Sequence, residues 1–148
     1  MDTYVGSKMI KAEKMTRGEC NKYRGWTIPA NENPNDEGYH VKYSDDYESW
    51  SPKKQFEEAY RLYNAEKLPA TAILMISDDY KDRFLAEYKQ LKIRYDGLIN
   101  MIKNWENGTL PFTPTCPRST YDLQLKAMAD YLAVLEARAV MENVDLNQ

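Results

Sequence analysis

The sequence predicts an α+β protein: a small N-terminal antiparallel β module with short helices, followed by a long antiparallel two-helix hairpin that oligomerises. Three observations carry this. Tyr39-His-Val-Lys-Tyr43 alternates with period two, the mark of a strand. Between Asp78 and Glu106 the apolar residues Phe84, Tyr88, Leu91, Tyr95, Leu98, Ile102 and Trp105 recur in a four-three rhythm, a continuous helical seam. Beyond a proline-rich stretch, Tyr121, Leu125, Met128, Leu132, Leu135 and Ala139 repeat that rhythm.

In chain order, the imperfect alternation from Tyr4 to Glu13 predicts a strand with a bend at Gly6. Thr16-Arg-Gly-Glu19 reads as a capping box opening a short helix to about Tyr23, stopped by Gly25. Residues 29–38, PANENPNDEG, form a polar loop. Asp45-Asp46 then turns the 39–43 strand into a hairpin reaching Trp50. Ser51-Pro52 suits a helix N-cap and first turn, with Phe56, Ala59, Tyr60 and Tyr63 on one face, and Leu68-Pro69 closes the module. The module therefore spans 1–70 and the hairpin 78–144. Asp122, three residues after Ser119, marks Ser119 as the cap of the second long helix. The two long helices, of roughly 28 and 25 residues, are each about 40 Å long. The segment 107–118 joins them with Pro111, Pro114 and Pro117 and holds Phe112 in a polar turn.

Composition narrows the function. The 148 residues are 43% hydrophobic, enough for a core, and carry a net charge of −3 with a pI near 5.3. That charge argues against duplex nucleic acid, whose recognition needs a basic stripe. No apolar run approaches the roughly 20 residues that span a bilayer. A soluble protein of the cytoplasm is expected, with Cys20 and Cys116 as free thiols. Twelve Tyr and three Trp accompany only three Phe, so most aromatic surface has a polar handle.

Signs of catalysis are scarce. No GxSxG, P-loop, HExxH or GxGxxG motif occurs, and no cofactor is implied. The single His40, on the strand face opposite Tyr39, Val41 and Tyr43, has no acid or second ligand that the sequence places beside it; an exposed or edge-strand residue is expected. Asp45-Asp46 and Asp78-Asp79 fall where turns and helix starts favour negative charge.

A two-helix hairpin cannot stand alone. Leu85, Ile93, Ile99 and Met101 on its first helix and Leu123, Tyr131 and Val134 on its second lie outside the seam, and another copy is the economical cover. The arginines point to an anion. Arg118 precedes a helix, where positive charge opposes the dipole, so it needs a partner. Arg138 ends that helix, and Arg83 starts the other at the same end of the hairpin. With Phe112 to stack on a ring, these residues suit an anionic nucleotide. Arg118 and Arg138 lie at opposite ends of one hairpin and meet at one ligand only if neighbouring hairpins run antiparallel.

The second helix, YDLQLKAMADYLAVLEARA, with Gln124, Tyr131 and Arg138, resembles the phage hairpin proteins that act as anti-Thoeris and anti-CBASS signal sponges. The first, YKDRFLAEYKQLKIRYDGLINMI, with Tyr80, Arg83 and Glu87, is similar to its partner helix. The first half, with MTRGECNKYRGW, resembles the module joined to such hairpins and points to the anti-Thoeris member. The resemblance covers about half of the chain. It implies a non-enzymatic decoy that holds a cyclic ADP-ribose isomer intact in the host cytoplasm, as a dimer or hexamer with pockets between protomers. Some members also bind cyclic di- or trinucleotides at a second site. Carried onto this chain, it assigns Arg83, Gln124, Tyr131 and Arg138 by motif position. Phe112, Arg118, Tyr121 and Arg24, the last as a lid, follow from chemistry alone. An adaptor using the hairpin as a protein interface and a hydrolase of the signal stay open as alternatives.

Overall fold

The computed structural model describes residues 1–64 and 66–148. The chain divides into two compact units, Met1–Leu62 and Tyr63–Gln148.

The first unit holds a three-stranded antiparallel sheet of order β1-β2-β3, with β1 at Lys11–Lys14, β2 at Gly38–Lys42 and β3 at Glu48–Pro52. The expected strand from Tyr4 is shortened to Lys11–Lys14. Lys11 pairs with Lys42, and there β2 ends in the turn between Tyr43 and Tyr47, so residues before Lys11 have no strand to join. That turn takes Asp46 into the left-handed region at φ 63°, which Asp tolerates. Gly38 is required on packing grounds, because a Cβ there would lie 2.4 Å from the Ser51 carbonyl oxygen and the Trp50 ring.

Helix α1, Arg17–Tyr23, starts on the full capping box: Glu19 N–H donates to the Thr16 hydroxyl and Thr16 N–H to the Glu19 carboxylate. It ends at Arg24, followed by Gly25 at φ 69°. Helix α2, Lys53–Ala59, begins later than its sequence suggests. Ser51 and Pro52 stay in β3, paired with Tyr39 and Gly38, and Pro52 stands at the cap position without a side-chain bond. An edge strand tolerates that proline, since its missing N–H breaks no central ladder. Phe56 stacks on Tyr39 at 4.0 Å, but Tyr60 is already extended, so Tyr63 lies off the helix.

His40 corrects the sequence reading. It lies on the central strand, only 7% exposed, with Glu13 of β1 and Glu48 of β3 at its two ring nitrogens. Sequence distance hid both acids, which the sheet register brings across from strands on either side.

In the second unit a 3₁₀ turn at Leu68–Thr71 and α3, Ala72–Met75, pack on α4, Tyr80–Glu106. The stretch from Leu68, which the sequence assigns to the end of the first module, therefore packs with the hairpin. The Gln90 side-chain amide donates to the buried Thr71 hydroxyl at 2.9 Å, joining the two. Helix α4, capped by Asp79, runs antiparallel to α5, Arg118–Glu142. Every seam residue read from the sequence is buried or half-buried. Phe84, Leu135 and Ala139 form the deepest cluster, with Tyr88, Leu91, Val144 and Leu146 packed on it.

The residues outside the seam split by helix. Leu85 is 4% exposed, and Ile93, Ile99 and Met101 are half-buried, so this chain covers α4 to a large extent itself. On α5 the opposite holds. Leu123, Val134 and Met141 are 70%, 55% and 79% exposed, and with exposed Ala127, Asp130 and Ala137 they form a second four-three seam. It is offset two residues from the first, about 200° around the helix, and so faces away from α4. Among the described residues, no helix is long and apolar enough to cross a membrane.

Candidate functional site

The open end of the hairpin gathers the polar chemistry. Arg138 faces α4 across the last turns of α5, with its guanidinium over the Phe84 ring, 4.9 Å from the centroid. Its Nε donates to Glu142 at 2.9 Å and its Nη2 to the Tyr80 hydroxyl at 2.6 Å. Tyr80 in turn donates to Glu142. The hydroxyl of Tyr131 donates to Glu87 on the facing helix. The cause of this cluster is local: Arg138 and Glu142 are four apart on one helix, and Tyr80, Phe84 and Glu87 line one face of the other.

Electrostatics fix the charges in place. Hydrogen bonds from Tyr80 and then Arg138 hold the Glu142 carboxyl below its ordinary range, while the Glu142 carboxylate pushes the Tyr80 phenol up. The aromatic ring and the two acceptors leave Arg138 little rotational freedom, which lowers the entropy cost of ligand contact. A planar guanidinium, ion-paired with Glu142, is thus held at the rim in a set orientation.

Each of the other expected residues has a place. Arg83, one position before Phe84 at the same end, donates to the Ser77 carbonyl at 2.6 Å. Tyr131 and Arg138 lie one heptad apart, and exposed Gln124 one heptad earlier, so the three form a line along α5 beside its outer seam. Tyr121 closes the seam at the other end, edge-on to Trp105 at 6.0 Å. Phe112 is 55% exposed in the connecting loop. Arg24 belongs to the first unit, stacked on Trp26 at 4.0 Å and donating to the Glu48 carbonyl at 2.7 Å.

Arg118 is not at an unsatisfied position. It is the first residue of α5, the cap being Pro117 rather than Ser119, and it is paired with Glu106 at 2.8 Å and Asp122 at 2.9 Å. These two carboxylates account for a cation at the dipole-opposed end of the helix. One hairpin brings Arg138 and Tyr80 together, sets Tyr131 about 10 Å from Arg138 along α5 and Arg83 at the same end, and keeps Phe112, Arg118 and Tyr121 at its far tip, about 30 Å away along α5. Glu142 was missed in the sequence; its i, i+4 spacing from Arg138 was the available signal.

A groove of about 790 Å³ opens on a different side of the same end, between the helices and the C-terminal tail. Its ionisable lining is Asp79, Asp82, Glu136 and Asp145 against Lys81. That charge repels a phosphate, so the largest opening at this end is a poor match for an anion.

The hairpin is also the part of the chain with a known likeness. Residues 78–141 match the Sequestin family. The Sequestin match takes in all of α4, the connecting loop and α5 through Met141, and so contains Arg138, Tyr80 and Phe84, with Glu142 one residue beyond it. The name Sequestin denotes sequestration, a binding role. No curated protein and no solved structure matches the chain.

Proposed function

We propose that this protein is a sponge that sequesters a cyclic ADP-ribose isomer in the host cytoplasm, leaves it chemically intact, and so blocks TIR-based anti-phage defence. The observation that carries the proposal is the coincidence of the Sequestin match with the hairpin on which Arg138 is held by Phe84, Tyr80 and Glu142. A guanidinium beside phenol hydroxyls suits a ligand that offers phosphate and ribose together.

The site is complete only in an oligomer. A second α5 laid antiparallel on the outer seam sets Leu123 against Met141, Ala127 against Ala137 and Asp130 against Val134. The alanines let the helices approach closely. In that register Gln124 of one copy lies beside Arg138 of the other. Arg118 of the first copy then comes level with residue 146 of the second, about 12 Å along the axis from its Arg138. Phe112, just before Arg118 in the chain, travels with it as the stacking ring. Phe112 and Arg118 of one hairpin thus complete the Arg138 site of its neighbour, in a dimer or in a hexamer built from such pairs. Cyclic di- or trinucleotides at a second site belong to the same proposal.

The exposed α5 seam equally fits an adaptor that packs on a different chain. One experiment separates the readings: incubate the protein with the cyclic ADP-ribose isomers, remove unbound ligand, denature by heat and analyse what is released. Intact ligand supports the sponge, altered ligand an enzyme, and none the adaptor.

A further inference from the structure

The first unit contains a buried histidine that the ligand chemistry does not use. His40 stands at the centre of the sheet, with Nδ1 3.3 Å from the Glu13 carboxylate on β1 and Nε2 3.1 Å from the Glu48 carboxylate on β3. A neutral imidazole has one N–H and one lone pair, so it donates to one carboxylate and turns a lone pair to the other. Only the imidazolium donates to both. We propose that His40 is a proton-operated staple: protonated, it ties β1 and β3 across β2, and loss of its proton releases β1 together with the chain before it.

The surroundings make β1 the strand that yields. It has four residues, all exposed, and Glu13 is the more exposed of the two acids. Glu48 has other attachments: Lys42 lies 3.8 Å from its carboxylate, and Arg24, just past the end of α1, holds its carbonyl. The remaining groups facing the imidazole do not replace the lost strut. Tyr23 of α1 lays its ring at 4.9 Å, Trp50 is the cross-strand neighbour on β3, and Lys42 is drawn to Asp46 at 3.1 Å. Cys20 of α1 is buried, and burial holds its thiol in the neutral form. α2 covers the other sheet face through Phe56 and Tyr39. In the neutral ring a single N–H remains, and with that proton on Nε2 toward Glu48 the side-chain tie from β1 to the sheet centre is lost.

His40 is the sole histidine, so its imidazole nitrogen signals are unambiguous in NMR spectra. The test follows those signals and the amide exchange of the intact protein across about pH 5 to 8. After correction for intrinsic exchange, protection at Lys11–Lys14 should fall roughly tenfold as the doubly protonated ring disappears, while α4 and α5 keep theirs. The variant Glu13→Gln, at an exposed position that folding tolerates, should lose this pH dependence. The proposal is overturned by β1 protection that stays constant through the titration, by an equal fall in Glu13→Gln, or by a ring that keeps one protonation state throughout.

Discussion

Arg138 lays its guanidinium over Phe84, one of the most deeply buried rings of the hairpin, so the charge proposed to meet a ligand is seated on the core. Arg138→Ala should weaken binding of a cyclic ADP-ribose isomer by at least about tenfold and lower its salt dependence. Arg138→Lys should restore little, because an ammonium cannot hold the Tyr80 and Glu142 contacts together. Titration calorimetry at two salt concentrations checks both; an unaltered salt slope would remove Arg138 from any phosphate contact.

Phe112→Ala should cost about 1–3 kcal/mol of binding, the worth of a base stack, and leave the oligomer intact. Its exposure predicts no effect on folding. Unchanged affinity would take Phe112 out of the site.

The outer seam of α5 gives a test of assembly. A charge at its centre, Val134→Glu, should leave the helical circular dichroism unchanged and shift the particle to the 17.3 kDa monomer in sedimentation. Wild-type protein that already sediments at that mass at micromolar concentration would sink the composite site.

Leu135→Ala removes the most buried side chain of the hairpin and should destabilise it by about 2–5 kcal/mol, read from thermal or urea unfolding. Leu123→Ala, on the exposed seam, should cost the isolated protomer far less. The contrast separates the two faces of one helix.

The acid limb of stability has a stated sign. Glu142 has its folded pKa depressed by Tyr80 and Arg138, so its contribution is fully present above the ordinary glutamate value. It is lost as pH falls through the folded value. Glu142→Gln should flatten that part of the stability profile, and an unchanged slope would place the contribution elsewhere.

Helices were legible where local rules suffice. The four-three rhythm marked both seams, and Thr16 with Glu19 announced the α1 cap, because each depends on residues within one or two turns. What failed depends on partners distant in sequence. β1 stops at Lys11 because β2 turns away, and Ser51 pairs in a strand because Tyr39 is opposite. His40 met its acids, and Arg118 its Glu106, through register and helix pairing that no short window contains. The placing of Arg83 and Arg138 at one end of the hairpin and of Arg118 at the other was readable from the two seams; the seating of Arg138 on Phe84 and Tyr80 required the fold.

With apolar seams on opposite sides, α5 keeps only two narrow polar strips, one of them the line of Gln124, Tyr131 and Arg138. On the proposed function, drift in ligand preference is therefore channelled. A substitution in either seam disturbs the hairpin core or the exposed face, whereas a change along that strip is expected to retune recognition while the scaffold persists. Related hairpins that respond to different signals should differ most at these three positions.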